Sequence, residues 1–276
     1  MKKYLIDEAL NILKEYAPHE GYYLAFSGGK DSIVCYDLLI RSGCNFSAHY
    51  NSTTIDPPEL LQFIKKFYPG AIWSYPIYQN KPTNFYQLIK KKGLPVRLSR
   101  WCCQIMKEGG GNGKLVIDGV RSAESHARKQ RNKFEYFLNK YYHAKNKNKT
   151  LDQELLDKLY SSGKAKKVIH LIFEWADSDV WDYINDNNLN YCSLYDSGNT
   201  RIGCIGCPMA PYSQVYRDFE RYPRIKANII KSIQYAIDNK GYYLDFNDAE
   251  DVFAWWISKL NKITWMGNKK QIRLNI

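Results

Sequence analysis

Short apolar strands alternate with amphipathic helices along most of the chain, and few folds accommodate such a pattern. Strand patterns lie near residues 22–26, 45–50, 71–76, 114–119 and 167–172, and helical patterns lie near 30–42, 57–67, 83–92, 122–140 and 177–187. Strands that are separated by helices usually pair in parallel, and the helices then cover both faces of the sheet. We therefore predict an α/β fold with a mostly parallel, five-stranded, doubly wound sheet.

The regions that flank this alternation predict additional segments. Residues 1–20 have the pattern of an amphipathic helix, residues 21–210 hold the α/β domain, and residues 211–276 have the pattern of a Trp-rich helical cap. A Lys- and Asn-rich insertion is expected at about 131–166. The length of 276 residues suits one large domain or one domain with an appendage.

Several classes of protein are disfavoured by the sequence. No apolar run approaches the roughly 18 residues that a membrane-spanning helix needs. The first residues, MKKYLIDEAL, include acids where a signal peptide would be apolar. The chain has seven cysteines, and an odd number without an export signal argues against a disulfide framework. We expect a cytoplasmic protein that does not bind membranes.

The positive charge of the chain is concentrated in one segment. Residues 121–167 contain thirteen Lys or Arg and five Asp or Glu, and they carry +8 of the formal charge of +12. Such a segment can bind the phosphates of a nucleic acid. It can equally be a solvated surface excursion in a chain whose gene is rich in A and T. The sequence leaves both interpretations open.

A polar, Gly-rich stretch joins the first predicted strand to the helix that follows it. Its residues are Ser27, Gly28, Gly29, Lys30, Asp31 and Ser32. Parallel sheets bind ligands at the carboxyl ends of their strands. Glycines let backbone N–H groups approach an anion, and the helix N-terminus adds positive potential. The stretch therefore predicts a phosphate site, in which Asp31 either fixes the loop or helps to hold Mg²⁺.

The sequence SGGKDS is not a Walker motif; it resembles the pyrophosphate-binding PP-loop of the adenine nucleotide α-hydrolase, or ATP pyrophosphatase, superfamily. Four further segments are similar to segments of phosphoadenosine phosphosulfate reductases: TTIDPPE (53–59), DGVRSAESHAR (118–128), LIFEWADSDVWDYI (171–184) and NYCSLYDSGNTRIGC (190–204). The similarity covers roughly residues 20–210. On this basis the chain is identified as a member of the phosphoadenosine phosphosulfate reductase family in its broad sense.

The resemblance implies a ligand and a set of roles. ATP or a related adenine nucleotide would lie on the loop, with further contacts from Thr53, Thr54, Gly119 and Arg121. Arg121 would face phosphate or sulfate, and Lys30, Asp31 and Arg121 would be the catalytic residues. Mg²⁺ would accompany the nucleotide.

Four of the cysteines form two close pairs, Cys102 with Cys103 and Cys204 with Cys207. Four thiolates form a soft site that suits zinc or an iron–sulfur cluster. The arrangement resembles the branch of the family that contains adenylylsulfate reductases, where it ligates a [4Fe–4S] cluster. Adjacent cysteines suit a cubane better than one tetrahedral zinc. We predict the cluster, and zinc or no metal remain alternatives.

One expected cysteine does not occur in this sequence. Sulfonucleotide reductases use a cysteine near the C-terminus as the nucleophile, whereas residues 208–276 contain none. The remaining parts resemble the ATP-pyrophosphatase component of DNA phosphorothioation systems and, in outline, cluster-bearing tRNA thiolases. The sequence therefore predicts an adenylating enzyme that transfers sulfur to a nucleic-acid acceptor, with a cysteine desulfurase as sulfur donor.

Two alternatives stay open. The chain can be a sulfonucleotide reductase of variant mechanism, acting on adenylylsulfate or phosphoadenylylsulfate with a thiol from another protein such as thioredoxin. It can also be a binding module for nucleotide or nucleic acid that has a structural metal and no turnover. Release of pyrophosphate distinguishes the first hypothesis from the second, and absence of turnover indicates the third. The sequence does not indicate an oligomeric state.

Overall fold

A computed structural model describes residues 2–138 and 151–266, which form two compact units. The first unit comprises the described residues among 1–51, 58–74 and 109–202. The second unit comprises those among 52–57, 75–108 and 203–276. No helix in the described part of the chain is both long enough and apolar enough to span a membrane. The predicted division into segments 1–20, 21–210 and 211–276 stays a prediction.

The first unit is built on a six-stranded sheet. The strands of the chain are β1 (Tyr22–Ala25), β2 (Phe46–Asn51), β3 (Ile72–Ser74), β4 (Ile77–Tyr78), β5 (Lys81–Pro82), β6 (Leu115–Asp118), β7 (Phe134–Leu138) and β8 (Ala165–His170). The order in the large sheet is β3-β2-β1-β6-β8-β7, and all neighbours are parallel except β7 and β8. The predicted α/β fold with a mostly parallel sheet is confirmed, with six strands instead of five.

The helices also divide between the two units. The first unit contains α-helices Lys3–Glu15, Lys30–Ser42, Pro58–Phe67, His126–Lys129, Gln153–Ser161 and Asp177–Asp186, and a short 3₁₀ helix, Ser122–Glu124. The second unit contains α-helices Phe85–Lys92, Trp101–Met106, Tyr212–Arg221, Pro223–Lys240 and Ala249–Ser258, and the antiparallel ribbon of β4 with β5. The helices predicted near 30–42, 57–67, 83–92 and 177–187 are confirmed.

The helix predicted over 122–140 is wrong. The chain there forms the two short helical turns and then β7, which pairs antiparallel with β8 through Phe134 and Ile169. Pairing with β8 supplies β7 with backbone hydrogen bonds that a local sequence pattern does not reveal. Of the expected insertion at 131–166, residues 139–150 lie outside the described residues.

Each unit buries its own apolar side chains. In the first unit Leu24, Ile33 and Ile117 are almost completely buried, and they pack the helix Lys30–Ser42 against the sheet. In the second unit Leu88 and Ile233 are completely buried. Burial of this kind fixes the helix that follows β1, and it thereby fixes the loop at the start of that helix.

Candidate functional site

The loop from Ser27 to Ser32 connects β1 to the helix Lys30–Ser42 and needs its first glycine. Gly28 has φ of +72°, a conformation that is costly for residues with a Cβ. A Cβ on Gly28 would also lie 2.7 Å from Cδ1 of Ile64. Gly29 is extended and immediately precedes the helix. The backbone therefore turns sharply and delivers the first N–H groups of the helix to the edge of the sheet.

The two serines of the loop hold it closed. The Ser27 N–H donates to Ser32 Oγ at 3.2 Å, and the Ser27 hydroxyl donates to the same atom at 3.2 Å. Ser32 Oγ in turn donates to the Gly29 carbonyl at 2.8 Å, and the Gly29 N–H donates to Ser27 Oγ at 3.3 Å. The hydroxyls thus give the loop a defined shape, which is what a preformed phosphate site needs.

A tyrosine that the sequence did not single out lies at the start of the same helix. The Lys30 N–H donates to the hydroxyl oxygen of Tyr195 at 2.9 Å. Burial is the largest effect on the pKa of Tyr195 and raises it, so the hydroxyl stays neutral and keeps its own hydrogen. An anion at this helix N-terminus would therefore meet a hydroxyl donor as well as backbone N–H groups.

Two buried cations and two carboxylates form a network beside the loop. Lys30 and Arg121 are each only 3% exposed. Arg121 donates from Nε to Oδ1 of Asp31 and from Nη2 to Oδ1 of Asp177, both at 2.7 Å. Lys30 Nζ lies 3.3 Å from Oδ2 of Asp31 and 2.9 Å from Oδ1 of Asp177. Two positive and two negative charges therefore meet at the loop.

The charges of this network stabilise one another. Burial by itself raises the pKa of Asp177, but the hydrogen bond from Lys30 and the charges of Lys30 and Arg121 outweigh it, and the pKa lies below its usual value. Burial likewise lowers the pKa of Arg121, but Asp31 and Asp177 outweigh it and raise the pKa. Asp31 has a contact to these cations from each of its oxygens, and its predicted part in holding Mg²⁺ stays a prediction.

Gly119 follows β6 and lies against the start of the helix. A Cβ at this position would be 2.9 Å from the backbone carbonyl carbon and oxygen of Asp31. Contacts that short do not occur between real side chains and backbone, so only glycine lets the chain pass here. The end of β6 therefore lies directly beside the loop, as the prediction for Gly119 requires.

Thr53 and Thr54 belong to the second unit and have hydrogen bonds of their own. The N–H and the hydroxyl of Thr53 donate to the two carboxylate oxygens of Asp56, each at 2.7 Å. The hydroxyl of Thr54 accepts from the Phe85 N–H at 2.9 Å, at the first residue of a helix. The predicted contact of these threonines with nucleotide stays a prediction.

The four paired cysteines all lie in the second unit, and none forms a disulfide. A hydrogen bond with Cys103 is the largest effect that raises the pKa of Cys102, and burial and the charge of Cys204 add to it. The same hydrogen bond is the largest effect on the pKa of Cys103 and lowers it, and the charges of Lys107 and Arg100 lower it further. For Cys204, burial raises the pKa, nearby Lys107 lowers it and Cys207 raises it. The thiols are therefore near enough to influence one another.

The four thiols are of the right chemical type for a metal site, and they lie in the same compact unit. Among residues 2–138 and 151–266, no three or more His, Cys, Asp or Glu side chains are arranged to hold a metal ion. Four sulfur donors in one compact unit nevertheless match the soft ligand set of zinc or of an iron–sulfur cluster. The predicted cluster on Cys102, Cys103, Cys204 and Cys207 remains a proposal.

Comparison with known proteins identifies the family. The model of the phosphoadenosine phosphosulfate reductase domain matches residues 21–210. The chain belongs to this family. The predicted membership of the phosphoadenosine phosphosulfate reductase family is thereby confirmed, and the chain is related to sulfonucleotide reductases.

Known proteins that are similar to this chain differ in sequence identity and in the share of each chain that is covered. An adenosine 5'-phosphosulfate reductase of Lysinibacillus sphaericus is 33% identical over 72% of this chain and 79% of its own length. An uncharacterized protein of Methanocaldococcus jannaschii is 29% identical over 79% of this chain, which spans only 50% of that protein. The crystal structure of a phosphoadenylyl-sulfate reductase from Candida auris has a TM-score of 0.47 at 17% identity, covering 72% of this chain and 87% of that one.

Within this family member, the structure brings together part of the predicted site. Loop residues, Gly119 and Arg121 meet at the carboxyl ends of β1 and β6. Sequence reasoning missed Asp177 and Tyr195. The sequence did contain a signal for Asp177, because it is an acidic residue at the first position of a helix that begins soon after β8. Tyr195 had none beyond its place in a segment similar to the family.

Residues 121–167, the basic segment, offer fewer unpaired cations to an anion than their composition suggests. Several of its cations pair with carboxylates: Arg121 with Asp31 and Asp177, Arg128 with Glu124, Arg131 with Glu135, Lys133 with Glu8, Lys158 with Glu154 and Lys167 with Asp157. Paired charges attract phosphate less than unpaired ones. Of residues 121–167, those at 139–150 lie outside the described residues.

Gly28→Ala is expected to disrupt the loop. The substitution forces a residue with a Cβ into φ of +72° and into contact with Ile64, so we expect a loss of about 1–3 kcal/mol in the free energy of unfolding. Nucleotide affinity should fall with it. Gly43→Ala is a matched control, since Gly43 also has φ of +72° but has open space around it and ends the same helix. Denaturant unfolding and nucleotide titration measure both; equal losses of affinity in the two variants would contradict a special role for the loop.

Proposed function

We propose that the chain is an ATP-dependent adenylating enzyme of the ATP pyrophosphatase type that takes part in sulfur transfer to a nucleic acid. The observation that carries the proposal is the pair of buried cations, Lys30 and Arg121, beside a preformed Gly-rich loop. Cations and N–H groups that are already in position stabilise the charge that develops when a phosphate reacts, because they need no reorganisation.

The reaction would begin with ATP on the loop. An oxygen of the acceptor attacks the α-phosphorus and forms a P–O bond, and the bond to the bridging oxygen of pyrophosphate breaks. The Tyr195 hydroxyl at the helix N-terminus, with the Lys30 ammonium, would take up the charge that develops on pyrophosphate. Arg121 would face the α-phosphate. The outer sulfur of a persulfide on a cysteine desulfurase then displaces AMP from the adenylated acceptor, and a second thiol cleaves the resulting disulfide to release the thiolated product.

The cysteine pairs of the second unit would serve this second half of the reaction. Cys102, Cys103, Cys204 and Cys207 would hold a [4Fe–4S] cluster, with zinc as the alternative. A cluster of this kind, when bound, supplies a place to hold or deliver sulfur. Two observations support this assignment. The chain matches the reductase family, and its four free thiols are soft ligands of the kind that a cluster needs.

The second candidate is a sulfonucleotide reductase, and the relatives that are adenosine 5'-phosphosulfate reductases favour it. Such a reaction needs an accessible thiol to attack sulfur. Cys35 and Cys192 are buried, at 0% and 1% exposure, and the Cys44 thiol donates to the Leu13 carbonyl at 3.3 Å. None of these three thiols is therefore placed to attack a bound sulfonucleotide. This candidate would require a thiol from thioredoxin or a similar protein.

The two candidates differ in their products. We expect anaerobically prepared protein to release pyrophosphate and AMP from ATP in the presence of nucleic acid, and to release no sulfite from adenylylsulfate or phosphoadenylylsulfate with thioredoxin. Ser32→Ala combined with Gly29→Ala should abolish nucleotide binding because it opens the hydrogen-bonded loop.

Ser42→Ala provides the matched control, since the Ser42 hydroxyl bonds the Leu39 carbonyl at the opposite end of the same helix. It should bind ATP like the unmodified protein. Sulfite release at an enzymatic rate, without products from ATP, would establish the reductase instead. Nucleotide binding without turnover of any of the three substrates would indicate a binding module.

A further inference from the structure

A cavity of about 450 Å³ lies within the second unit, and its lining is close in the chain to one of the cysteine pairs. The lining includes Val96, Arg97, Leu98, Pro208, Trp255 and Lys259. Pro208 directly follows Cys207. A volume of this size is within the range of roughly 300–1,000 Å³ that is typical of ligand sites. The walls combine apolar side chains with two cations.

Neither cation of this cavity forms an ion pair with a carboxylate among the described residues. The Lys259 Nζ is buried and has no hydrogen-bond partner within residues 2–138 and 151–266. Burial has the largest effect on the pKa of Lys259 and lowers it; the charge of nearby Cys207 raises it, the charge of Arg97 lowers it, and the pKa lies below its usual value. Two like charges that share a cavity repel each other unless an anion lies between them. The cavity therefore has the electrostatics of an anion site.

The tryptophans give the cavity a rigid aromatic wall. The Trp255 indole N–H donates to the Leu260 carbonyl at 3.1 Å, and the Trp256 indole N–H donates to the Pro95 carbonyl at 2.7 Å. Both polar groups are thus satisfied by the backbone, which leaves the ring surfaces to make apolar contacts. Lys259 has φ of +61° and ends the helix Ala249–Ser258, so its backbone position is also fixed.

We propose that this cavity binds one nucleotide unit of a single-stranded nucleic acid, with its base against Trp255 and its phosphate between Arg97 and Lys259. The proposal rests on the proposed function and deepens it by giving the acceptor a binding site. A planar ring on an aromatic wall and an anion between cations are the two contacts by which proteins bind single strands. Leu98, which also lines the cavity, is fully exposed, so this side of the cavity is open to solvent. A paired base is stacked inside its duplex and is not available to such a cavity.

The test is fluorescence anisotropy of a labelled single-stranded oligonucleotide with the full chain, at several salt concentrations and without ATP. Arg97→Gln combined with Lys259→Gln should weaken binding about tenfold or more. The slope of log K against log [salt] should fall by about 0.7 for each phosphate that the variant no longer neutralises. Trp255→Leu should weaken binding about tenfold with an unchanged salt slope.

Arg128→Gln combined with Lys158→Gln is the matched control. It also removes one Arg and one Lys, but from the basic segment of the first unit, where both residues are ion-paired. We expect it to bind like the unmodified protein. Equal binding by the Arg97/Lys259 variant, a loss confined to the Arg128/Lys158 variant, or equal affinity for a duplex or for free AMP would each overturn the proposal. The binding assay requires no turnover, so its result can be interpreted even if the protein releases no pyrophosphate from ATP.

Discussion

Arg121→Gln is expected to lower the rate of ATP turnover at least about 100-fold, the scale at which loss of one positioned charge acts in preorganised sites. Arg121 bridges Asp31 and Asp177 through two different nitrogens, each at 2.7 Å. Without it, two carboxylates share Lys30, and the site changes from neutral to negative where phosphate must bind. Pyrophosphate release and nucleotide titration measure the effect.

Arg121→Lys should recover only part of the loss, because an ammonium cannot reproduce the planar, two-sided contact of a guanidinium. Arg128→Gln serves as the control, since this nearby arginine pairs with Glu124 at a partly exposed position. Turnover of Arg121→Gln within about threefold of the unmodified protein would contradict the role assigned to the network; a change that small corresponds to well under 1.4 kcal/mol.

Substitution of one cysteine from each pair, Cys102→Ser with Cys207→Ser, is expected to remove bound iron completely. Anaerobically prepared unmodified protein should contain iron and acid-labile sulfide and should absorb broadly near roughly 400 nm, as Cys-ligated cubanes do. Two remaining thiolates do not suffice to hold a cubane. Metal analysis and the absorption spectrum give the readout, and thermal unfolding reports whether the second unit stays folded.

Cys44→Ser is the control for this loss, since its thiol lies in the first unit and a serine hydroxyl can donate to the Leu13 carbonyl in its place. It should keep all of the iron. Stoichiometric zinc without iron, in protein that has never been exposed to air, would contradict the cluster and indicate a zinc site instead. Iron retained by Cys102→Ser with Cys207→Ser would show that other residues bind it.

The sequence predicts the parts of the fold that local patterns determine. The parallel strands and the loop at Ser27–Ser32 follow from apolar runs, glycines and their order along the chain. The strand β7 does not, because its partner β8 begins 27 residues after β7 ends, at Ala165, and supplies its hydrogen bonds across the sheet. Tertiary pairing of this kind overrides a local helical pattern.

The same limit applies to the site. The sequence indicates Lys30 and Arg121 as cations near phosphate, but it does not reveal that Asp177 pairs with both of them. It also counts the charges of the basic segment without showing that many are neutralised by neighbours in space. Motifs identify residues that follow one another in the chain, whereas a charge network depends on residues that the fold brings together.

The division of the second unit among three stretches of chain has a consequence for synthesis. Residues 75–108, with Cys102 and Cys103, leave the ribosome well before residues 203–266, with Cys204 and Cys207. In between, the chain must complete β6, β7 and β8 of the other unit. At the usual rate of about 5–20 residues per second, the first pair of thiols therefore waits several seconds for the second. During that interval the nascent chain displays an unpartnered vicinal dithiol, so its maturation should depend on a reducing environment long before any metal can be inserted.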